Sequence, residues 1–401
     1  MFTYFPSFSV GRFGSNLIKN SRINDLSVRF YSDEYPIEIR HPYFLVTAGH
    51  FYKKDNIREL FGFDKDTLVM GDSGGFQIAS GALKYSPEIV HNIFNWLEDN
   101  SDIAMNLDIP PKMKYLNKFN ECLEISKNNF KYFADHQTGK TLFLNVLQGV
   151  DENSYMNWYN NVKQYPFGGW AIGNVGGSLY RFMCGIMVLL ENREHLRHSV
   201  KYIHILGISK ITDILMLSQF QKSLNDVGCN IIISTDSSTP DRRTIFGCYF
   251  INFDIRNETF TSVHIPKLRD EQWDEFSKKN KNKKFPFIKA CQFDNVLEKN
   301  ISFLDILKFD EQATNSIRLH NFYYFKEVME QLNSYVYSSE YLEEQLVTTD
   351  TFKVLNSIDE MVKAHLTDKS PLKIFQKYKP LYLKLSTYNQ IPTTNNNFFE
   401  F

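Results

Sequence analysis

Short apolar segments alternate with helical segments through residue 240, and this alternation limits the possible folds more than any other feature. Each apolar run ends in a polar or glycine-containing turn and is followed by a stretch with helical spacing. There are seven such runs: Tyr43–Thr47, Thr67–Gly71, Ile103–Leu107, Thr141–Leu147, Gly169–Gly173, Tyr202–Gly207 and Asn230–Thr235. Repeated strand–helix units are typical of a parallel sheet. Seven of them in a chain of this size predict an α/β protein with a (β/α)₈ TIM-type barrel.

The composition excludes several other classes of protein. Hydrophobic residues make up 43% of the 401 positions and charged residues 23%, a balance typical of folded globular proteins. The formal net charge is -1, so any surface for nucleic acid must be local. Five scattered cysteines without a CxxC pair favour a reducing, cytoplasmic location over a disulfide framework. No apolar run approaches the roughly 18–20 residues of a membrane span, so we expect no membrane partner.

The alternation ends after residue 240. Two apolar runs, Ile245–Phe253 and Thr259–Ile265, are predicted to pair as a hairpin. A lysine-rich run at 278–284 follows, either as a solvated loop or as a contact for a phosphate backbone. The spacing is helical from about 301 to 382. The predicted organisation is a barrel over 1–335 with a small inserted lobe at about 245–320, a helical C-terminal extension at 336–386, and a mobile tail at 387–401.

Polar side chains stand at the carboxyl ends of four predicted strands, where barrel enzymes place their working residues. They are Asp72, Asp108, Gln148 and Asp236. Three carboxylates and an amide suit a polar planar ligand together with acid–base and nucleophilic chemistry. An aspartate after a strand is also an ordinary helix cap or turn former, so one position alone decides little. The four together predict a site.

Seven short motifs resemble, in order, those of one enzyme family. They are Gly71-Asp72-Ser73-Gly74-Gly75-Phe76-Gln77, Leu107-Asp108-Ile109-Pro110, Leu147-Gln148-Gly149, Gly169-Trp170-Ala171-Ile172-Gly173, Leu206-Gly207-Ile208-Ser209-Lys210, Asp236-Ser237-Ser238 and His320-Asn321-Phe322-Tyr323-Tyr324. The first resembles the DSGGFQ motif of the tRNA-guanine transglycosylase superfamily, and the resemblance spans about 40–335. It implies a barrel pentosyltransferase, related to the queuosine pathway, that exchanges guanine for a 7-deazaguanine.

The resemblance also implies a role for each strand-end residue. Asp236 would attack C1′ of the sugar and form a covalent glycosyl intermediate, and Asp72 would move protons on the leaving and entering bases. Asp108 and Gln148 would hydrogen-bond the edge of the base. The remaining contacts to the base would come from Ser73, Phe76, Gly173, Val175 and Leu206. For the phenylalanine and the leucine, ordinary packing at the barrel mouth is the alternative.

The zinc site of this family is degenerate in the chain. The family pattern is CxCxxC followed by a histidine, and counting back from His320 places Lys289, Cys291 and Asp294 at the cysteine positions. One thiolate, one carboxylate and one histidine fall short of a closed four-ligand site. We therefore expect no cofactor and no tightly bound zinc, with Cys291 and His320 as core residues.

Two further departures concern the ligand. Relatives that accept an aminomethyl base have a glutamate where this chain has Leu179, and a neutral pocket wall disfavours a cation. This predicts the uncharged base 7-cyano-7-deazaguanine. The family's PTR after the nucleophile is replaced by Ser-Ser-Thr-Pro, and Arg242 and Arg243 lie just downstream. This pair, with Lys210, would contact nucleic acid; surface salt bridges are the alternative for the arginines.

The departures lie where the family contacts tRNA or builds its zinc lobe, whereas the residues for base chemistry are present. This pattern favours the branch of DNA-guanine transglycosylases from phages and bacterial modification islands. The expected partners are then DNA, guanine and a 7-deazaguanine, with a helper protein left open. A composition heavy in Asn, Lys, Ile and Phe is typical of AT-rich genomes, including viral ones.

Three alternatives stay open. One is a divergent tRNA-guanine transglycosylase that acts on tRNA. Another is a catalytically inactive barrel that serves as a partner subunit, although the presence of both Asp72 and Asp236 argues against it. The last is an unrelated barrel hydrolase that uses these two aspartates as an acid and a nucleophile.

Overall fold

Eight parallel strands form a nearly closed barrel surrounded by helices in the computed structural model of the protein. The structure describes residues 1–7, 22–23, 26–27, 29–33, 35, 37, 40–111, 118–173, 178–264, 273–280, 311–338 and 347–388. The strands are β1 (Thr3–Pro6), β2 (Arg22–Ile23), β3 (Leu26–Ser27), β4 (Tyr43–Thr47), β5 (Leu68–Asp72), β6 (Ile103–Met105), β7 (Leu142–Leu147), β8 (Gly169–Ile172), β9 (Tyr202–Ile205), β10 (Ile232–Ser237), β11 (Cys248–Asp254) and β12 (Thr259–His264). The predicted fold class is confirmed: an α/β TIM-type barrel.

The helices follow the barrel strands and continue beyond them. They are α1 (Ala48–Phe51), α2 (Ile57–Phe61), α3 (Gly75–Ser80), α4 (Pro87–Asn100), α5 (Phe119–His136), α6 (Glu152–Val162), α7 (Leu179–Glu191), α8 (Ile211–Asp226), α9 (Thr239–Ile245), α10 (Trp273–Asn280), α11 (Glu311–Tyr337), α12 (Thr349–Val362) and α13 (Pro371–Tyr388), with 3₁₀ turns at Glu194–Leu196 and Lys363–Leu366. None of these helices, over the described residues, is both long and apolar enough to cross a membrane.

The eighth barrel strand is β1, which the sequence pattern did not locate. The sheet runs in the order β4, β5, β6, β7, β8, β9, β10 and β1. A parallel bridge between Ser7 and Leu45 brings the last strand back to the first. In the pairing of β1 with β10, Phe5 lies opposite Asp236. This strand escapes a pattern search because it is only four residues long and ends in a proline, which is unfavourable inside a sheet.

Local sequence signals set several helix starts. Ser86 precedes α4 and its hydroxyl accepts the N–H of Ile89, with Pro87 at the first helical position, where a missing N–H costs nothing. Asp151 precedes α6 and forms a reciprocal capping box with Ser154, which satisfies N–H groups that the helix itself cannot. These caps fix the first residues of α4, which follows β5 and α3, and of α6, which follows β7.

The C-terminal helices pack against the outside of the barrel. Helices α11 and α12 lie against α8, and α13 lies against α7. Ser223 of α8 donates to Asp359 of α12 at 2.8 Å, and Glu191 at the end of α7 accepts the N–H of Leu372 at 2.9 Å. Phe375 and Tyr382 of α13 belong to the same hydrophobic cluster as the barrel. The barrel and these helices therefore share one core.

Strands β11 and β12 form the antiparallel hairpin predicted after residue 240. Helix α11 holds it: Asn321 accepts the N–H of Phe250 at 2.9 Å and donates to the carbonyl of Cys248 at 2.9 Å. The lysine-rich run predicted as a loop begins inside α10, where Lys278 and Lys279 are exposed. Residues 281–310 lie outside the described residues, as do the tail positions from 389 onward.

Candidate active site

The structure brings the four polar strand-end residues to one mouth of the barrel. Asp72 ends β5, Asp236 lies near the end of β10, and Asp108 and Gln148 follow β6 and β7. The amide of Gln148 donates to a carboxylate oxygen of Asp108 at 2.7 Å. The charge of Asp72 acts on Asp108, and that of Asp236 acts on Asp72. Because the eight barrel strands are parallel, their carboxyl ends meet here, as the sequence predicted.

Asp108 and Gln148 form a buried acid–amide pair. The two residues are 7% and 3% exposed. The pKa of Asp108 is raised to about 7, mainly by burial; the Gln148 hydrogen bond opposes the rise, and the negative charge of Asp72 adds to it. The amide oxygen Oε1 of Gln148 is buried and has no hydrogen-bond partner among the described residues. A buried acceptor without a partner is costly, so this pair is suited to a ligand that brings N–H groups.

Two glycines make room for this pair. A Cβ atom at Gly75 would stand 2.1 Å from the backbone oxygen of Asp108, closer than any real contact. A Cβ atom at Gly173 would stand 2.3 Å from Nε2 of Gln148. The carbonyl of Gly173 in turn accepts the hydroxyl of Tyr155 at 2.7 Å. The glycines of the two motifs are therefore needed for the close approach of the chain to the pair.

Asp72 lies beside the pair and retains a proton more readily than a free carboxyl. Burial raises its pKa, and the charge of Asp236 adds to the rise. Hydrogen bonds from the Gly74 N–H and the Thr47 side chain lower the pKa and only partly oppose this. The Gly74 N–H donates to Oδ1 at 3.3 Å. A carboxyl with a raised pKa near a ligand pocket can act as a general acid.

Asp236 is held through one of its two oxygens. Oδ1 accepts the N–H of Gly207 at 2.8 Å and lies 3.4 Å from Nε2 of His204. The ring of His204 is completely buried, and its Nδ1 lies 3.0 Å from the hydroxyl of Ser234. Our sequence reasoning missed His204. Its only signal was a polar residue inside an apolar strand, and that pattern does not identify its neighbour.

The predicted apolar contacts differ in their exposure. Phe76 is 58% exposed on α3, whereas Leu206 is partly buried against the core. Leu179 begins α7 and is only 2% exposed. Ser73 is 1% exposed and donates its hydroxyl to the carbonyl of Asn106 at 3.1 Å, so it braces the turn. Val175, another predicted contact to the base, lies in the loop 174–177, outside the described residues.

The predicted nucleic-acid contacts lie on, or directly before, the helices that follow β9 and β10. Arg242 and Arg243 are on α9, which directly follows β10; Arg242 is exposed and Arg243 is partly buried near Cys248. Lys210 precedes α8, and its charge acts on the buried Asp213 of that helix. Each of the three basic residues therefore follows a strand that ends at this mouth.

A metal centre has no support in the described part of the chain, where no three His, Cys, Asp or Glu side chains gather in a suitable group. His320 is 1% exposed, its Nε2 lies 2.7 Å from the carbonyl of Phe250, and burial lowers its pKa to about 4. Lys289, Cys291 and Asp294 lie outside the described residues. The expectation that zinc is not bound therefore stays a prediction.

A groove of about 570 Å³ lies at the opposite end of the barrel, near the amino ends of β7 and β8. Its buried acid, Glu194, already accepts hydrogen bonds from Tyr159 at 2.5 Å and Trp170 at 2.9 Å, and pairs with Arg197 at 3.2 Å. Both carboxylate oxygens of Glu194 therefore already have partners within the protein. The mouth with the three aspartates is the stronger candidate site.

Among known proteins, no family model and no curated sequence matches this chain. Its function must therefore be argued from the barrel and from the groups at its mouth.

Proposed function

We propose that the protein is a guanine transglycosylase that replaces guanine in DNA with a 7-deazaguanine through a covalent aspartyl-glycosyl intermediate. One observation carries the proposal. A buried acid–amide pair, Asp108 and Gln148, adjoins a carboxyl with a raised pKa, Asp72, which in turn interacts with the anchored Asp236. In this proposal Asp108 and Gln148 recognise the base, Asp72 transfers protons and Asp236 is the nucleophile, all at the same mouth of the barrel.

The buried pair complements the edge of a guanine. Guanine presents neighbouring N–H donors beside its O6 acceptor, and a buried carboxylate is tolerated only when such donors satisfy it. Asp108 can accept these donors, and the unpartnered Oε1 of Gln148 offers a further acceptor. The exposed ring of Phe76 can stack on the base, an interaction that stabilises unpaired nucleotides. The target must leave its stack to reach the pocket.

Asp236 and Asp72 together account for every bond, electron pair and proton in the exchange. Oδ2 of Asp236 forms a bond to C1′ while the C1′–N9 bond breaks, and that electron pair leaves with guanine, which takes a proton from Asp72. In the second half, the entering base gives its N9 proton to Asp72 and attacks C1′, and the electron pair of the ester bond returns to Asp236. A carboxylate suits such an oxocarbenium-like transition state, as in retaining glycosidases.

DNA is proposed as the polynucleotide because the chain departs from the tRNA enzymes where those enzymes contact tRNA. Arg242 and Arg243, on the helix after β10, are the proposed phosphate contacts. Phosphate contacts of this kind weaken with salt. We therefore expect base exchange on DNA to fall as ionic strength rises, and to fall less steeply in the doubly substituted variant Arg242→Gln/Arg243→Gln.

The test is base exchange with radiolabelled guanine offered in parallel with duplex DNA, single-stranded DNA and tRNA. We expect label in DNA, and its loss in Asp236→Asn, which keeps the size of the side chain but removes the nucleophile. The matched control is Asp55→Asn, at an exposed position. Label in tRNA alone would replace DNA by tRNA and keep the chemistry. If no polynucleotide takes label, the proposed function is wrong.

The entering base is proposed to be the uncharged 7-cyano-7-deazaguanine. The first residue of α7 is the buried Leu179, so this position offers no carboxylate to a cationic aminomethyl group. Competition between the nitrile and the aminomethyl base for incorporation into DNA measures this preference. We expect the nitrile base to be favoured, and preference for the amine would contradict the assignment.

A further inference from the structure

A histidine lies directly beneath Asp236 inside the barrel. His204 is 0% exposed, although the interior of such barrels is normally filled by branched apolar residues. Its Nε2 lies 3.4 Å from Oδ1 of Asp236, and this nitrogen makes no hydrogen bond within the described residues. A buried ring nitrogen without another partner is unfavourable, so its approach to the carboxylate calls for a functional explanation.

The strand register places these groups on the same face. Ser234 of β10 lies opposite His204 of β9, and Asp236 is two residues further along β10, so both β10 side chains point inward. Phe5, opposite Asp236 in β1, packs edge-on against the imidazole with ring centroids 6.3 Å apart. The imidazole therefore has a hydroxyl at hydrogen-bond distance from Nδ1, a phenyl ring at its edge, and a carboxylate oxygen 3.4 Å from Nε2.

The chemistry of its neighbours decides which ring nitrogen carries a proton towards Asp236. The hydroxyl of Ser234 can either donate or accept, but an ionised carboxylate can only accept. The favourable arrangement puts the proton on Nε2, facing Asp236, and lets Nδ1 accept from Ser234. The opposite tautomer would point a nitrogen lone pair at a carboxylate.

We propose that His204 is a positioning residue for the nucleophile. Together with the Gly207 N–H, its Nε2–H holds Oδ1 of Asp236 and leaves Oδ2 to attack C1′. When the ester forms through Oδ2, Oδ1 becomes its carbonyl oxygen and stays on the same two donors. The 3.4 Å separation is long for a hydrogen bond, and such contacts often tighten only when substrate is bound. This inference rests on the proposed function.

If His204 only positions the nucleophile, its loss should affect attack on C1′ but not binding of the base. His204 lies below Asp236, whereas the base is assigned to Asp108 and Gln148 on neighbouring strands. Loss of the Nε2–H should therefore slow formation of the covalent intermediate and leave the affinity for guanine unchanged. A purely structural role would disturb both.

The kinetic test compares His204→Phe, His204→Gln and Ser234→Ala. In single-turnover reactions with DNA, we expect His204→Phe to slow intermediate formation about 10–100-fold, the usual effect of losing an orienting partner. The glutamine variant, whose amide can still donate to Asp236, should recover most of the rate, and Ser234→Ala should lose only several-fold. The dissociation constant for guanine, measured by calorimetry, should stay within about twofold of wild type.

The inference is overturned if His204→Phe forms the intermediate at the wild-type rate, or if the glutamine variant is as slow as the phenylalanine variant. Nitrogen NMR of ¹⁵N-histidine-labelled protein decides the same point without turnover, with His204→Gln assigning the signal. We expect the Nε2–H tautomer, and an Nδ1–H tautomer would overturn the inference. Absence of base exchange in wild type would defeat the proposed function instead, and the NMR result would still decide how His204 faces Asp236.

Discussion

The three aspartates at the barrel mouth lie in different surroundings. Burial raises the pKa of both Asp72 and Asp108, so these carboxyls tend to hold protons. Asp236 instead has a backbone N–H on one oxygen at 2.8 Å and keeps 14% of its side chain exposed. Different environments allow one residue type to serve as acid, base and nucleophile within a single site.

Asp108→Asn should change how stability depends on pH. The native pKa is about 7 against an ordinary value of 3.8, so between these values the native state holds a proton that the unfolded state has released. Wild-type stability should therefore fall as pH rises from 4 to 8, by up to roughly 4 kcal/mol. The asparagine variant should lack this fall and be the more stable protein at pH 8.

Urea unfolding at several pH values between 4 and 9 measures the effect, with Asp55→Asn as the exposed control. A wild-type curve that stays flat between pH 4 and 8 would contradict the prediction. If the proposed function holds, guanine binding should also weaken in Asp108→Asn, because the carboxylate proposed to accept the N–H groups of guanine is gone.

Alanine at the two pocket glycines should have different costs. At Gly75 the new methyl group meets the backbone of Asp108, whereas at Gly173 it meets the end of the flexible Gln148 side chain. We expect Gly75→Ala to lose about 1–3 kcal/mol of stability, the usual cost of overpacking. Gly173→Ala should cost less but still weaken guanine binding, because it displaces the amide from Asp108. Chemical unfolding and calorimetry separate the two effects; equal stability losses would refute this reasoning.

At the scale of elements, a buried ion pair joins α9 to α11. Arg318 Nε lies 2.6 Å from Oδ1 of Asp241, and the two side chains are 3% and 0% exposed. Asn321, one turn further along α11, donates to Thr244 of α9 at 3.0 Å. This contact fixes the helix that carries Arg242, so it sets the position of the proposed phosphate contacts.

Breaking this pair on one side should be more damaging than replacing it. Arg318→Met leaves the charge of Asp241 buried without its ion-pair partner, and we expect the free energy of unfolding to fall by about 3–5 kcal/mol. The double variant Arg318→Met/Asp241→Leu removes both charges and should recover a large part of it. Denaturant unfolding of Arg318→Met, Asp241→Leu and the double variant measures the coupling. If the stability loss of the double variant equals the sum of the two single losses, the pair is not coupled.

At the scale of the whole molecule, the barrel depends on its C-terminal helices. Ten of the thirteen residues of α7 are buried, because Gly185 lies against Ile172 of β8 and α13, α6 and α12 pack against the helix. A helix that is apolar all round is stable only when it is enclosed. The C-terminal helices therefore complete the outer layer of the barrel.

Deletion of residues 371–401 should therefore abolish cooperative thermal unfolding and increase binding of an apolar dye. The apolar outer side of α7 would then face water. Deletion of 389–401 leaves α13 intact and serves as the control, with an expected wild-type transition. A cooperative transition in the longer deletion would show that the barrel folds without α13 packed against α7.

The fold class and most of the candidate site could be predicted from the sequence, because both depend on local patterns. The order of apolar and polar residues along the chain indicates the alternation of strands and helices. Polar residues that follow parallel strands lie at the same mouth of the barrel, because the strands all end there. Asp72, Asp108, Gln148 and Asp236 were found in this way. The glycines beside them mark close approaches of the chain, which only residues without a side chain allow.

Tertiary structure alone decided the contacts between distant segments. Strand β1 is too short to identify by pattern, and it belongs to the barrel because its backbone pairs with β10. His204 resembles any core histidine until the register of β9 and β10 sets it against Asp236. The raised pKa of Asp108 likewise arises only once folding removes water from around it. A sequence states which groups a strand carries; only the packed barrel determines which of them meet, because distances between strands depend on register and closure.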